Sequence, residues 1–112
     1  MKPARSRPAR GEVWLINLDP TIGSEIQKTR PCLVVSPPEM NDCLPTIIAA
    51  PMTTGSRLAP SRIPVRFRGR SGFILLEQTR ALDKRRLIRR LGTIGRDTLS
   101  RTLATLREMF EE

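Results

Sequence analysis

The sequence has no histidine and no tyrosine, and only one tryptophan, three phenylalanines and two cysteines among 112 residues. Lack of histidine removes the side chain that ordinarily titrates near neutrality, so acid–base chemistry falls to Asp, Glu, Lys, Arg or hydroxyl groups. It also argues against a structural zinc site, because Cys32 and Cys43 stand in no metal-ligand spacing and have no imidazole to complete a set. Both cysteines read as ordinary reduced residues, and no cofactor or metal is expected. Long apolar runs are absent too, so no segment approaches the length needed to span a bilayer. The first ten residues lack the apolar stretch of a secretion signal, which points to the cytoplasm.

What the chain has in excess is positive charge. Lysine and arginine total 20 against 11 acids, a net charge of +9, and arginine dominates. The planar guanidinium fork matches phosphate oxygens in a bidentate way, so the excess points to a polyanion such as nucleic acid. One cluster comprises Arg57, Arg62, Arg66, Arg68 and Arg70; a second comprises Arg80, Lys84, Arg85, Arg86, Arg89 and Arg90, with Asp83 the lone internal acid. Like charges this dense repel one another unless an anion binds between them. With so few aromatics to stack on bases, affinity for a single strand should rest on phosphate contacts and fall steeply with salt.

The length suits one domain with one core. Residues 1–10, with Lys2, Arg5, Arg7, Arg10 and little apolar surface, read as a mobile basic arm, either solubilising or touching nucleic acid weakly. Residues 11–112 form the domain. Short runs rich in apolar and β-branched residues read as strands: Glu12–Leu18 with Trp14 in the core, Cys32–Ser36 buried on both faces, Thr46–Ala50, Phe73–Leu76 and Leu87–Ile94. Ile63–Phe67 alternates with period two and carries Pro64, the mark of an edge strand. One helix closes the chain, with Leu99, Leu103, Leu106 and Phe110 on its apolar face and Asp97 as its cap. The expected fold is mainly β with α: a small barrel or sandwich of five to six strands and a C-terminal helix.

The loop Asp19–Pro31 is the strongest candidate for chemistry, because it hangs Glu25 and Arg30 between two strands. Arg30 is placed firmly beside Pro31, while Glu25 follows Gly23 on a stretch, Ile22–Thr29, that reads as a gate. Such a pair suits phosphate chemistry, whereas a merely solvated pair would contribute about 0 to 1 kcal/mol.

The order Arg10-Gly-Glu-Val-Trp14, Leu18-Asp-Pro-Thr21, Gly23-Ser-Glu25, Arg30-Pro31, Leu33-Val-Val-Ser-Pro37, Asn41, Pro51-Met-Thr-Thr54 and Leu76-Glu-Gln78 resembles the MazF/PemK (Kid) toxin family of bacterial toxin–antitoxin systems. Single fragments are weak signals, but their joint order and spacing from Arg10 to the final helix is specific. The resemblance implies an SH3-like barrel of the CcdB/MazF type, a homodimer, and metal-independent, sequence-selective cleavage of single-stranded RNA, messenger RNA first. It implies catalytic roles for Glu25, Arg30 and Thr53, with Thr54 the neighbouring candidate. Lys28, Thr54, Arg57, Gln78 and Arg80 are the candidate RNA contacts. The implied partner is an acidic antitoxin segment lying across the basic groove. The local run Ile26-Gln-Lys-Thr29 departs from the family's usual residues before its arginine, which touches sequence preference rather than chemistry. The rivals are a CcdB-like toxin acting on DNA gyrase without catalysis and a plain SH3-like nucleic-acid-binding module.

Overall fold

A computed structural model describes residues 7–112, so most of the expected basic arm lies outside the described residues. The elements run β1 (Glu12–Asn17), β2 (Thr29–Val34), α1 (Pro38–Asn41), β3 (Thr46–Thr53), β4 (Arg62–Phe67), β5 (Arg70–Leu75), β6 (Arg80–Asp83), β7 (Leu87–Thr93) and α2 (Arg96–Met109). Short 3-10 turns at Leu76–Gln78 and Lys84–Arg86 flank β6. Every strand pairing is antiparallel, in the order β4-β5-β3-β2-β1-β7, with β6 also on β3.

The long third strand makes this curl possible. Its first half, Thr46–Ala49, pairs with β6, and its last two residues, Met52 and Thr53, pair with β5. Pro51 stands at the changeover, where a residue with no N–H breaks the ladder least. The two end strands then approach each other. A two-residue turn, Arg68 at φ 52° and Gly69 at φ 77°, returns β4 into β5. From that turn the Arg68 guanidinium donates to the Leu91 carbonyl of β7 at 2.6 Å.

Strand β2 is buried on both faces, as expected, because the sheet carries a core on each side. Leu33 and Val35 join Val13, Met52, Ile63 and Ile74 in one cluster; Cys32 and Val34 join Trp14, Ile16, Ile47 and Leu82 in the other. Alternation along one strand thus feeds two cores. Helix α2 covers the first with Leu103 and Leu106. Trp14 is fully buried, its Nε1 donating to Glu12 Oε1 at 3.0 Å.

Mostly-β architecture with a terminal helix therefore stands, with details corrected. Among the described residues the strands number seven rather than five or six. The additional one, Arg80-Ala-Leu-Asp83, has a single large apolar residue, and its pairing with β3 is a long-range event. Gly95, not Asp97, occupies the position before α2 and makes no side-chain cap; Asp97 lies in the first turn, where its charge opposes the positive helix end. Phe110 falls just past the helix, at its C-cap, and is 82% exposed. Pro64 does lie on an edge strand. Among the described residues, no helix is long and apolar enough to cross a membrane.

Candidate active site

Arg30 and Thr53 come from the two central strands. The β2–β3 ladder ends at Cys32 opposite Pro51, and Arg30 and Thr53 each stand two residues beyond that pair on their own strand. Both line a cavity of about 300 Å³. Its walls are apolar, built by Leu15, Pro31, Met52, Val65, Phe67 and Leu91, while Arg30, Arg68, Arg70 and Arg89 bring charge and Thr53 and Thr54 bring hydroxyls. No carboxylate lines it, and among the described residues none of those arginines lies within ion-pair distance of one. Cations over an apolar floor favour an anion that also carries flat or apolar surface.

Thr53 is held by backbone rather than by its side chain. It pairs with Phe73 of β5, and the neighbouring Gly72 lies so close that a Cβ there would overlap the Thr53 carbonyl oxygen and sit 2.9 Å from its carbonyl carbon. Glycine is what admits this approach. The Thr53 hydroxyl accepts from the Gly55 amide at 3.2 Å and retains its own proton for donation.

Glu25 is elsewhere. It does not line the cavity, and its carboxylate accepts from the Ile22 amide at 2.8 Å while its own amide donates to Ile22 O at 3.2 Å. Nor is the loop loosely attached. Asp19 Oδ1 accepts from the Lys28 amide at 2.9 Å, and Leu18 N donates to Lys28 O at 3.0 Å, closing the neck. Arg86 Nη1 donates to Asn17 O and Asp19 O at 3.0 and 2.6 Å. Arg30 Nε reaches Gln27 O at 3.2 Å, and Ile26 packs on the second core.

The other candidates divide. Gln78 Oε1 accepts from the Ile26 amide at 2.7 Å, so this side chain grips the loop. Thr54 lines the cavity; Lys28 and Arg57 are exposed and do not. Arg80 is half-buried on β6, where it and Arg30 both act on Cys32. The charge clusters contained Arg68, Arg70 and Arg89, but nothing in the sequence separated these three from their neighbours; the turn and register that aim them did.

Burial pushes the Cys32 thiol up to about 12, against the pull of Arg80 and Arg30, so it stays protonated and inert at neutral pH. Cys43 is exposed, and both thiols are free. Burial would raise Glu77, but hydrogen bonds from Arg62, its own backbone and Ser61 outweigh that and hold its carboxyl below the usual value.

The molecule is a small curled β-sheet capped by one helix, with an arginine-lined cavity whose charge suits an anion. Its lineage is specific: a model of the PemK-like, MazF-like toxins of type II toxin–antitoxin systems matches residues 9–110. The chain belongs to that family. It is 36% identical to the endoribonuclease MazF of Staphylococcus epidermidis over 88 residues, 73% of each chain. It is 44% identical to the endoribonuclease PemK of Escherichia coli over 55 residues, 49% of this chain and 41% of that protein. The fold superposes on MazF of Deinococcus radiodurans with a TM-score of 0.82 at 29% identity, covering 91% of this chain and 94% of that one. The same comparison with that protein in its MazE–MazF complex gives 0.76 at 28% identity, covering 92% and 95%.

Proposed function

We propose that this toxin is a metal-independent endoribonuclease that cuts single-stranded RNA, messenger RNA first, by attack of the RNA's own 2′-hydroxyl. The 2′-oxygen bonds to phosphorus as its proton leaves, the bond from phosphorus to the 5′-oxygen breaks, and that oxygen takes a proton from water. The products are a 2′,3′-cyclic phosphate and a 5′-hydroxyl. Such a reaction needs a base, stabilisation of the growing negative charge, and alignment.

The observation that carries this reading is Arg30 and Thr53 in one cavity with further arginines and no carboxylate. Arg30 clamps the phosphate; a guanidinium keeps its proton in proteins, which makes it an electrostatic stabiliser rather than an acid. The Thr53 hydroxyl donates to the pentacoordinate phosphorane. Glu25 is the base, reaching the 2′-hydroxyl when RNA draws it away from the Ile22 amide that it meets at 2.8 Å. Lys28, Thr54, Arg57 and Arg80 hold the flanking strand, and Gln78 enters through the loop that it grips.

The relatives are named endoribonucleases, and one is solved with its antitoxin MazE. On that footing the toxin works as a cytoplasmic homodimer, arrests translation and growth, and is silenced by an acidic antitoxin segment covering the arginine-lined cavity. Incubating the pure protein with a defined single-stranded RNA and a chelator tests the reading. Discrete fragments with cyclic-phosphate ends are expected. Intact RNA would place the protein with gyrase-directed or purely nucleic-acid-binding relatives of the fold.

A further inference from the structure

The 3-10 turn Leu76-Glu77-Gln78 is fixed from below and holds the Glu25 loop from above. Leu76 is buried in the first core, and its amide donates to Ser61 O at 3.0 Å. Glu77 is clamped three times: it accepts from Ser61 Oγ at 2.9 Å, from Arg62 Nε at 2.9 Å and from Arg62 Nη2 at 2.7 Å. Arg62 in turn donates to Ser56 Oγ and Arg57 O at 2.6 and 3.1 Å, tying in the loop that follows Thr53–Thr54. From this anchored base Gln78 reaches across 52 residues of sequence to the Ile26 amide at 2.7 Å, one residue from Glu25.

We propose that Gln78 is a positioning residue for catalysis, a tether that sets where the Glu25 carboxylate can travel, rather than a contact to RNA. The proposal rests on Glu25 acting as the base. The neck of the loop is held separately by Asp19 and Arg86, so losing the Gln78 contact frees the crown around Glu25 without unfolding the loop. A carboxylate freed in this way samples many positions, and displacement of a reacting group by about 1 Å costs on the order of a hundredfold in rate. Binding of the RNA backbone, carried by residues outside the crown of this loop, is unaffected.

The test compares Gln78→Leu, which keeps shape and loses the acceptor, with Gln78→Glu, which keeps an acceptor oxygen and adds a negative charge. Gln78→Leu should lower kcat about ten- to hundredfold with KM within about twofold, and should speed hydrogen exchange at the Ile26 amide. Gln78→Glu should restore the Ile26 protection and most of kcat. If Gln78 instead touches RNA, Gln78→Leu raises KM and Gln78→Glu raises it further through charge repulsion, overturning the proposal. Unchanged Ile26 exchange in Gln78→Leu overturns it as well. Glu25→Gln serves as the separate control: if it cleaves at the parental rate, the assigned base is wrong, while the exchange data still report whether the tether exists.

Discussion

The two halves of the candidate site are built in opposite ways. Arg30 and Thr53 stand on β2 and β3, strands packed between two cores, with Gly72 pressing β5 against the Thr53 backbone. Glu25 stands on a loop held mostly by hydrogen bonds, among them from the Ile22 amide to Glu25, at the Asp19–Lys28 neck, from Arg86 and from the Ile26 amide to Gln78, with the Ile26 side chain packed on the second core. Strand-borne groups are held by burial, which one substitution does not remove. Loop-borne groups are held by individual bonds of about 1 kcal/mol each, which RNA binding can exchange. In the proposed mechanism the charge-stabilising half is thus pre-organised, and the proton-accepting half is adjustable.

The sharpest way to break this contrast is at its chemical ends. Glu25→Gln should lower kcat about a hundredfold or more while leaving folding unchanged, because the residue is exposed and supports only Ile22. Circular dichroism and single-turnover cleavage together check this. Arg30→Ala should cost about 100- to 1,000-fold in kcat and weaken RNA binding as well, which fluorescence anisotropy would show.

Gly72→Ala attacks the rigid half through its frame. The new Cβ meets backbone that cannot step aside, so destabilisation of about 3 kcal/mol is expected, read as a lower urea midpoint, with activity falling beyond the loss of folded protein. No glycine on the Glu25 loop carries such a constraint, since Gly23 has nothing within 4 Å of its Cβ position; its φ of +62° alone penalises a side chain there.

Smaller effects concern titration. Glu77 has its folded carboxyl held low, so its contribution is present above the ordinary carboxylate range and is lost as pH falls through the folded value. For a partly exposed pair this is about 1 kcal/mol at most. Acid titration of Glu77→Gln against the parent would show the difference vanishing at low pH. The smallest effect is on thiols: one equivalent of a thiol reagent should react quickly at neutral pH, at Cys43, while Cys32 reacts only on unfolding.

Much of this was readable along the chain. Period-two alternation and bounding prolines marked most strands, and the Glu25, Arg30 and Thr53 pattern located the candidate chemistry. Strand β6 escaped because four residues with one large apolar side chain carry no periodic signal. Phe110 fitted helical spacing, yet spacing does not say where a helix stops. Gln78 reads as a candidate RNA contact in the sequence, and its hydrogen bond from the Ile26 amide, 52 residues away, carries no local signal.

By itself the sequence determined the class of fold, the family, the basic character and the residue types available for catalysis without histidine. The basic character and the residue types follow from composition and the fold class from local pattern, which tertiary context cannot erase, while the family follows from the resemblance of the ordered motifs. Only the tertiary structure decided that Arg68, Arg70 and Arg89 join Arg30 around one cavity, that Glu25 sits apart from it, and that Gln78 connects distant segments. Strand register and sheet curl set these distances, and both arise from packing two cores against one sheet, a property of the whole chain rather than of any stretch of it.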